Sequence, residues 1–132
     1  PLGAFFCCLR KTTQVTYTSS MKATFIELPA FSRYRSTYLD DEGFRALQND
    51  LLKNPEAGDL IEGTGGLRKL RQSDPRRQKG KRGGLRVIYY WWNGQQQFWL
   101  FTLYDKDEMD DLRPSEKKAL KLMLKAELEN RQ

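Results

Sequence analysis

Four cations stand at positions that could share one face of a small sheet. Lys69 and Arg71 are two residues apart, Arg86 follows a basic loop, and Lys106 follows the next apolar run. There is no histidine, and the only cysteines are the adjacent Cys7 and Cys8. His general bases, Ser-His and Cys-His pairs, and a four-ligand zinc site are therefore excluded, and no metal or cofactor is expected. What is left is the chemistry of cations on phosphate. Arginine grips a phosphate bidentately. Arg and Lys would also stabilise the pentavalent charge that develops when a ribose 2′-hydroxyl attacks the adjacent phosphorus. A lysine crowded by like charges has a lowered pKa and can move a proton. Lys and Arg also protect sheet edges, so a solvated edge is the plain alternative. On chemistry alone, phosphate binding without catalysis ranks ahead of catalysis.

The charge distribution narrows the partner. Residues 66–86 hold nine basic side chains and one acidic, a window of +8 in a chain of 132 residues whose net charge is +6. Such a window suits a polyanion, nucleic acid first, or serves solubility as a solvated loop. Hydrophobic residues make up 39% and aromatic residues 12%, enough for one globular core without disulfides. The apolar run at 4–9 is too short for a membrane span or an export signal, so a cytoplasmic protein is expected.

These cations need elements to hold them. Residues 1–20 read as an N-terminal extension, a cleavage scar and upstream sequence, with Met21 as the natural start and 21–132 as one domain. The alternative is a true extension adding a strand, since QVTYT favours β structure. Residues 22–28 suit a strand ended by Pro29. Phe31, Tyr34 and Tyr38 mark one helix face. Asp40 or Asp41 caps a second helix, striped by Phe44, Leu47 and Leu51 and stopped at Asn54-Pro55. Residues 58–66 read as a glycine-rich loop without the Lys-Ser/Thr of a P-loop. In 67–71, period two puts Leu67, Lys69 and Arg71 on one side and Arg68 and Leu70 on the other. Residues 85–92 and 97–104 are apolar on both faces, hence central strands, and Asn93-Gly94 between them predicts a type I′ turn. Tyr89, Tyr90, Trp91, Trp92 and Trp99 could stack bases, though two-sided strands place most of them in a core. A final helix over 114–131 starts at Pro114, with Leu120, Met123, Leu124 and Leu128 as its apolar stripe and Lys117, Lys118, Lys121 and Lys125 more exposed. The order is β-α-α-β-β-β-α, an α+β fold with helices on a small, largely antiparallel sheet.

GTGGLRKLR (63–71), KGKRGG (79–84), RVIYYWW (86–92) and FWLFTLYDKDEMDDL (98–112) together resemble toxins of the RelE/ParE superfamily, closest to the HigB-type toxins of bacterial toxin–antitoxin pairs. The resemblance covers essentially all of 21–132. It implies a fold like the microbial ribonucleases. It further implies a ribosome-dependent endoribonuclease that cuts translated mRNA by 2′-hydroxyl attack and so inhibits translation and growth. The partners it implies are mRNA on the ribosome and a cognate antitoxin, often with a helix-turn-helix domain. Carried over by position, the catalytic set is Lys69, Arg71, Arg86 and Lys106, and the RNA-binding set is Arg68, Lys79, Lys81 and Arg82. The chain departs from the family at Asp107, where an arginine is usual, at Leu112 or Arg113, where a tyrosine is usual, and in lacking the histidine some HigB toxins use. Tyr104, Asp105 or Asp107 are the candidates to supply part of the acid–base function. The alternatives are a ParE-like inhibitor of DNA gyrase on the same fold and a non-catalytic RNA-binding regulator.

Overall fold

The elements of the computed structural model run β1 (Lys11–Thr16), β2 (Lys22–Glu27), α1 (Pro29–Tyr38), α2 (Asp41–Lys53), β3 (Asp59–Leu60), β4 (Arg68–Gln72), β5 (Leu85–Trp92), β6 (Gln97–Asp105) and α3 (Pro114–Arg131). It describes residues 11–16, 22–72, 84–106 and 111–131. The strands form one sheet in the order β1-β2-β6-β5-β4-β3. Only β2 and β6 pair parallel; the other neighbours are antiparallel.

The two strands that are apolar throughout, β5 and β6, lie at the centre, and each sheet face carries its own core. On the first face Phe25, Val87, Tyr89, Phe98 and Leu100 meet Phe31 of α1 and Leu47 and Leu51 of α2. On the second, Ile26, Ile88, Trp99 and Phe101 meet Leu120 and Leu124 of α3. Helix starts and stops follow the residues expected to set them. The Gly43 N–H donates to Asp40 Oδ1 at 2.7 Å, capping α2. Pro29 and Pro114 open α1 and α3.

Two strands go beyond the expected order. Lys11–Thr16 pairs along its whole length with β2, from Lys11 opposite Glu27 to Thr16 opposite Lys22. The sheet therefore extends across the boundary expected at residue 21. Asp59 and Leu60 lie opposite Lys69 and Arg68 within the stretch expected to be loop. Two residues carry no periodicity; their extended form follows from the partner strand.

The connection after β5 is not a two-residue type I′ turn. Trp92 pairs with Gln97, leaving Asn93–Gln96 as a four-residue loop, and Gln96, not Gly94, takes the left-handed conformation (φ 51°). A two-residue turn would have placed Gln95 and Gln96 within the strand, opposite Trp92 and Trp91. The longer loop leaves both exposed. It sets Trp91 on Phe98 (4.4 Å between ring centroids) and Tyr90 against Trp99 (5.3 Å).

Further along, Ile88 faces Thr102 while Tyr89 faces Leu100, so Phe101 is an extra residue, a β-bulge. The insertion reverses the inside–outside phase of the rest of β6. Leu103 joins the first core and Tyr104 the second.

Tyr89 ties the sheet to the turn before β3. Its hydroxyl donates to the Pro55 carbonyl (2.8 Å) and accepts from the Gly58 N–H (3.0 Å). Burial pushes this phenol above its ordinary 10.0, against the opposing pull of Gly58 and Arg68. An unfolded tyrosine ionises from about pH 10 while the folded one keeps its proton. The stability from this group is thus full below pH 10 and is lost as pH rises through the folded pKa. Tyr89→Phe is expected to cost about 1–3 kcal/mol by orphaning a buried donor and an acceptor. Urea titrations below and above pH 10 test both parts: the variant should be weaker at neutral pH and lose less on going alkaline.

Candidate functional site

Residues directly opposite one another in a sheet point to the same face, so the register fixes which cations meet. Arg71 on β4 lies opposite Arg86 on β5, and Arg86 lies opposite Tyr104 on β6. Tyr104 belongs to the second core, so all three side chains stand on the α3 face. Lys69 is two residues before Arg71 and shares that face. The bulge at Phe101 is what aims Tyr104 here; unbroken alternation from Phe98 would have turned it to the opposite face.

The members of this row differ in environment. Arg86 is 4% exposed, and its guanidinium donates to the Leu85 carbonyl at 3.2 Å. Arg71 is exposed, beyond the two rungs that β3 contributes, and has no ion-pair partner among the described residues. Lys69 is half-buried and reaches Asp111 Oδ1 at 3.4 Å. Lys106 is half-buried two rungs beyond Tyr104, and its N–H donates to the Gly84 carbonyl at 3.2 Å. A cleft of about 340 Å³ opens here between β4, the β3 edge and the start of α3, with Lys69, Arg71 and Lys117 facing Asp59, Glu62 and Asp111.

The structure brings together Lys69, Arg71 and Arg86, with Lys106 at the end of the neighbouring strand. It does not bring Arg68 to them. Arg68 is on the other side of β4, where it donates to the carbonyls of Gly58 (2.8 Å) and Glu56 (3.3 Å) and holds the turn before β3. Lys79, Lys81, Arg82 and Asp107 lie outside the described residues. Asp105 is fully buried opposite Leu85 and so belongs to the first face, away from the cations. Tyr89 and Trp99 are core, whereas Tyr90, Trp91 and Trp92 are half-buried. Among the described residues no three or more of His, Cys, Asp and Glu group as a metal site, and no helix is long and apolar enough to cross a membrane.

Sequence reading missed Asp111. Its carboxylate accepts the Leu112 N–H at 2.8 Å as well as the Lys69 ammonium. That backbone hydrogen bond, with the charge of Lys69, holds the Asp111 carboxyl below its ordinary range. The signal was an acid shortly before the proline that opens the last helix, which reads as ordinary helix-start chemistry. Asp111 occupies Lys69 as an incoming phosphate would. Asp111→Asn is expected to tighten binding of a single-stranded oligonucleotide while changing stability by less than about 1 kcal/mol, since the pair is largely exposed. Fluorescence anisotropy and a thermal melt check the two halves.

No protein-family model matches this chain. The case for function therefore rests on the site.

Proposed function

We propose that the chain is the toxin of a bacterial toxin–antitoxin pair, an endoribonuclease that cuts mRNA on the ribosome in the cytoplasm. One observation carries the reading. Arg71 and Arg86 are directly opposed on neighbouring strands. Like charges in that position weaken a sheet, and Arg71 has no ion pair among the described residues. A phosphodiester bound at the row would draw on both charges, and it fits two guanidinium groups and an ammonium. The order β2-α1-α2-β4-β5-β6-α3 around the row is the α+β order read from the sequence.

In this reading Arg71 and Lys69 grip the scissile phosphate from the open side of the cleft. Arg86, anchored beneath, supplies fixed positive charge as the 2′-oxygen bonds to phosphorus and the 5′-oxygen leaves. The 2′-hydroxyl proton must go to a base and the departing oxygen must gain one. Lys69 and Tyr104 are the proton donors on this face, and Asp111 is the carboxylate beside it. The cognate antitoxin blocks access to the row.

The test is inducible expression of the full chain in a bacterium, with transcript ends mapped by primer extension. Growth arrest with new, translation-dependent cuts in coding regions supports the endonuclease. Arrest with intact transcripts and broken DNA points instead to a gyrase inhibitor. Folded protein that neither arrests growth nor cuts RNA leaves a binding protein.

A further inference from the structure

Helix α3 is divided lengthwise. Glu116, Ala119 and Met123 face an apolar groove of about 530 Å³ shared with Tyr34 of α1 and Tyr104 of β6. The opposite flank carries Lys117, Lys121 and Lys125 at i, i+4 and i+8, with Lys118 beside them. Lys117 lines the cleft that holds Lys69 and Arg71. Lys118, Lys121 and Lys125 are exposed.

Within the cleft the charge of Lys117 helps hold the Asp111 carboxyl below its ordinary range, whereas Lys118, Lys121 and Lys125 stand farther along, exposed. Among the described residues none of the four lysines forms an ion pair. Like charges at i, i+4 destabilise a helix. Lys117 and Lys118 stand near the N-terminus of α3, where the helix dipole favours acids. Of the acids of α3, Glu116 is on the groove side and accepts the Arg113 N–H at 2.9 Å, Glu127 is buried, and Glu129 stands at i+4 from Lys125, at the far end of the stripe. Four residues of helix rise about 6 Å, close to the distance between successive phosphates on an extended single strand.

We infer that this flank of α3 is a second binding site, an anchoring track for the backbone of a single-stranded polynucleotide that leaves the row at Lys69 and Arg71 and runs past Lys117 toward Lys125. The inference builds on the phosphate-binding reading of the row but does not require cleavage. It makes the ligand a strand several nucleotides long and gives the protein affinity that does not depend on base sequence.

The test uses the full chain and the double variant Lys121→Gln/Lys125→Gln, whose glutamines keep nearly the same helix propensity. Binding of labelled oligouridylates of three and twelve nucleotides is followed by anisotropy at increasing salt. Each phosphate neutralised on a single strand contributes about 0.7 to the slope of log K against log salt. The variant should therefore lose about 1.4 of slope with the twelve-nucleotide strand and none with the three-nucleotide strand, whereas Arg71→Ala weakens both. An unchanged slope for the long strand overturns the track, and so does an equal loss at both lengths. Binding to phosphatidylglycerol vesicles that depends on Lys121 and Lys125, with no change toward the long strand, assigns the flank to a membrane surface and also overturns it. Track binding without transcript cleavage would sink the endonuclease alone; cleavage with an unchanged slope would sink the track alone.

Discussion

Under the proposed endonuclease function, Arg71→Ala is expected to lower transcript cleavage by about 10²–10³-fold, the usual loss when one donor to a developing charge is removed, and to leave the fold intact. Arg71 is exposed, and no ion pair among the described residues depends on it. Its removal also relieves the repulsion with Arg86 across the strands. Stability should therefore hold within about 0.5 kcal/mol or rise slightly. This combination separates the site from its scaffold. Primer extension on induced cells and a thermal melt of the purified variant are read together. A variant that melts as the parent does and still cuts at the parental rate removes Arg71 from the mechanism. Arg86→Ala cannot make that separation, because Arg86 is buried and its loss disturbs the sheet as well as the site.

Phe98→Ala should be among the most damaging single changes to the fold. Phe98 is fully buried on β6. It stacks on Phe25 of β2 at 4.8 Å and on Trp91 of β5 at 4.4 Å, and meets Tyr89 at 6.2 Å. It thus joins the parallel half of the sheet to the antiparallel half. Truncation costs about 3–5 kcal/mol in transfer and cavity terms, and each lost aromatic pairing adds about 0.5–1.5 kcal/mol. Against a total stability of about 5–15 kcal/mol, the variant should be largely unfolded at growth temperature. Denaturant titration measures it. A loss under about 2 kcal/mol would show that β5 and β6 repack around the gap.

The parts of the fold that could be read from sequence were those where one signal dominates. Pro114 and the Leu120–Leu124–Leu128 spacing define α3 over 114–131. The unbroken apolar runs define β5 and β6 as central strands with a core on either face. Period two in LRKLR placed Lys69 and Arg71 together and Leu70 opposite, and the register bears this out. What could not be read is set by distant partners. The form of the Asn93–Gln96 loop follows from the preference of Phe98 and Trp99 for Trp91 and Tyr90, against a local Asn-Gly signal that pointed to a tighter turn. Arg68 was indistinguishable in sequence from its basic neighbours, yet its carbonyl partners at Glu56 and Gly58 make it part of the scaffold. Asp111 reaches Lys69 from 42 residues away, a relation no local pattern encodes.

The bulge at Phe101 has a consequence for how this strand can change. The faces downstream of it are set by the pairing with β5, and the bulge is where β6 takes up its extra residue. Deleting Phe101 would remove the bulge and leave every downstream partner in place: Thr102 would follow Leu100 opposite Ile88, Tyr104 would stay opposite Arg86, and Asp105 opposite Leu85. Point substitutions in this stretch act one side chain at a time, whereas the loss of one residue is taken up at the bulge and leaves the faces beyond it unchanged. Within β6 the bulge is therefore a reserve of length, and a natural variant one residue shorter between Leu100 and Tyr104 should keep Tyr104 opposite Arg86 by losing the bulge.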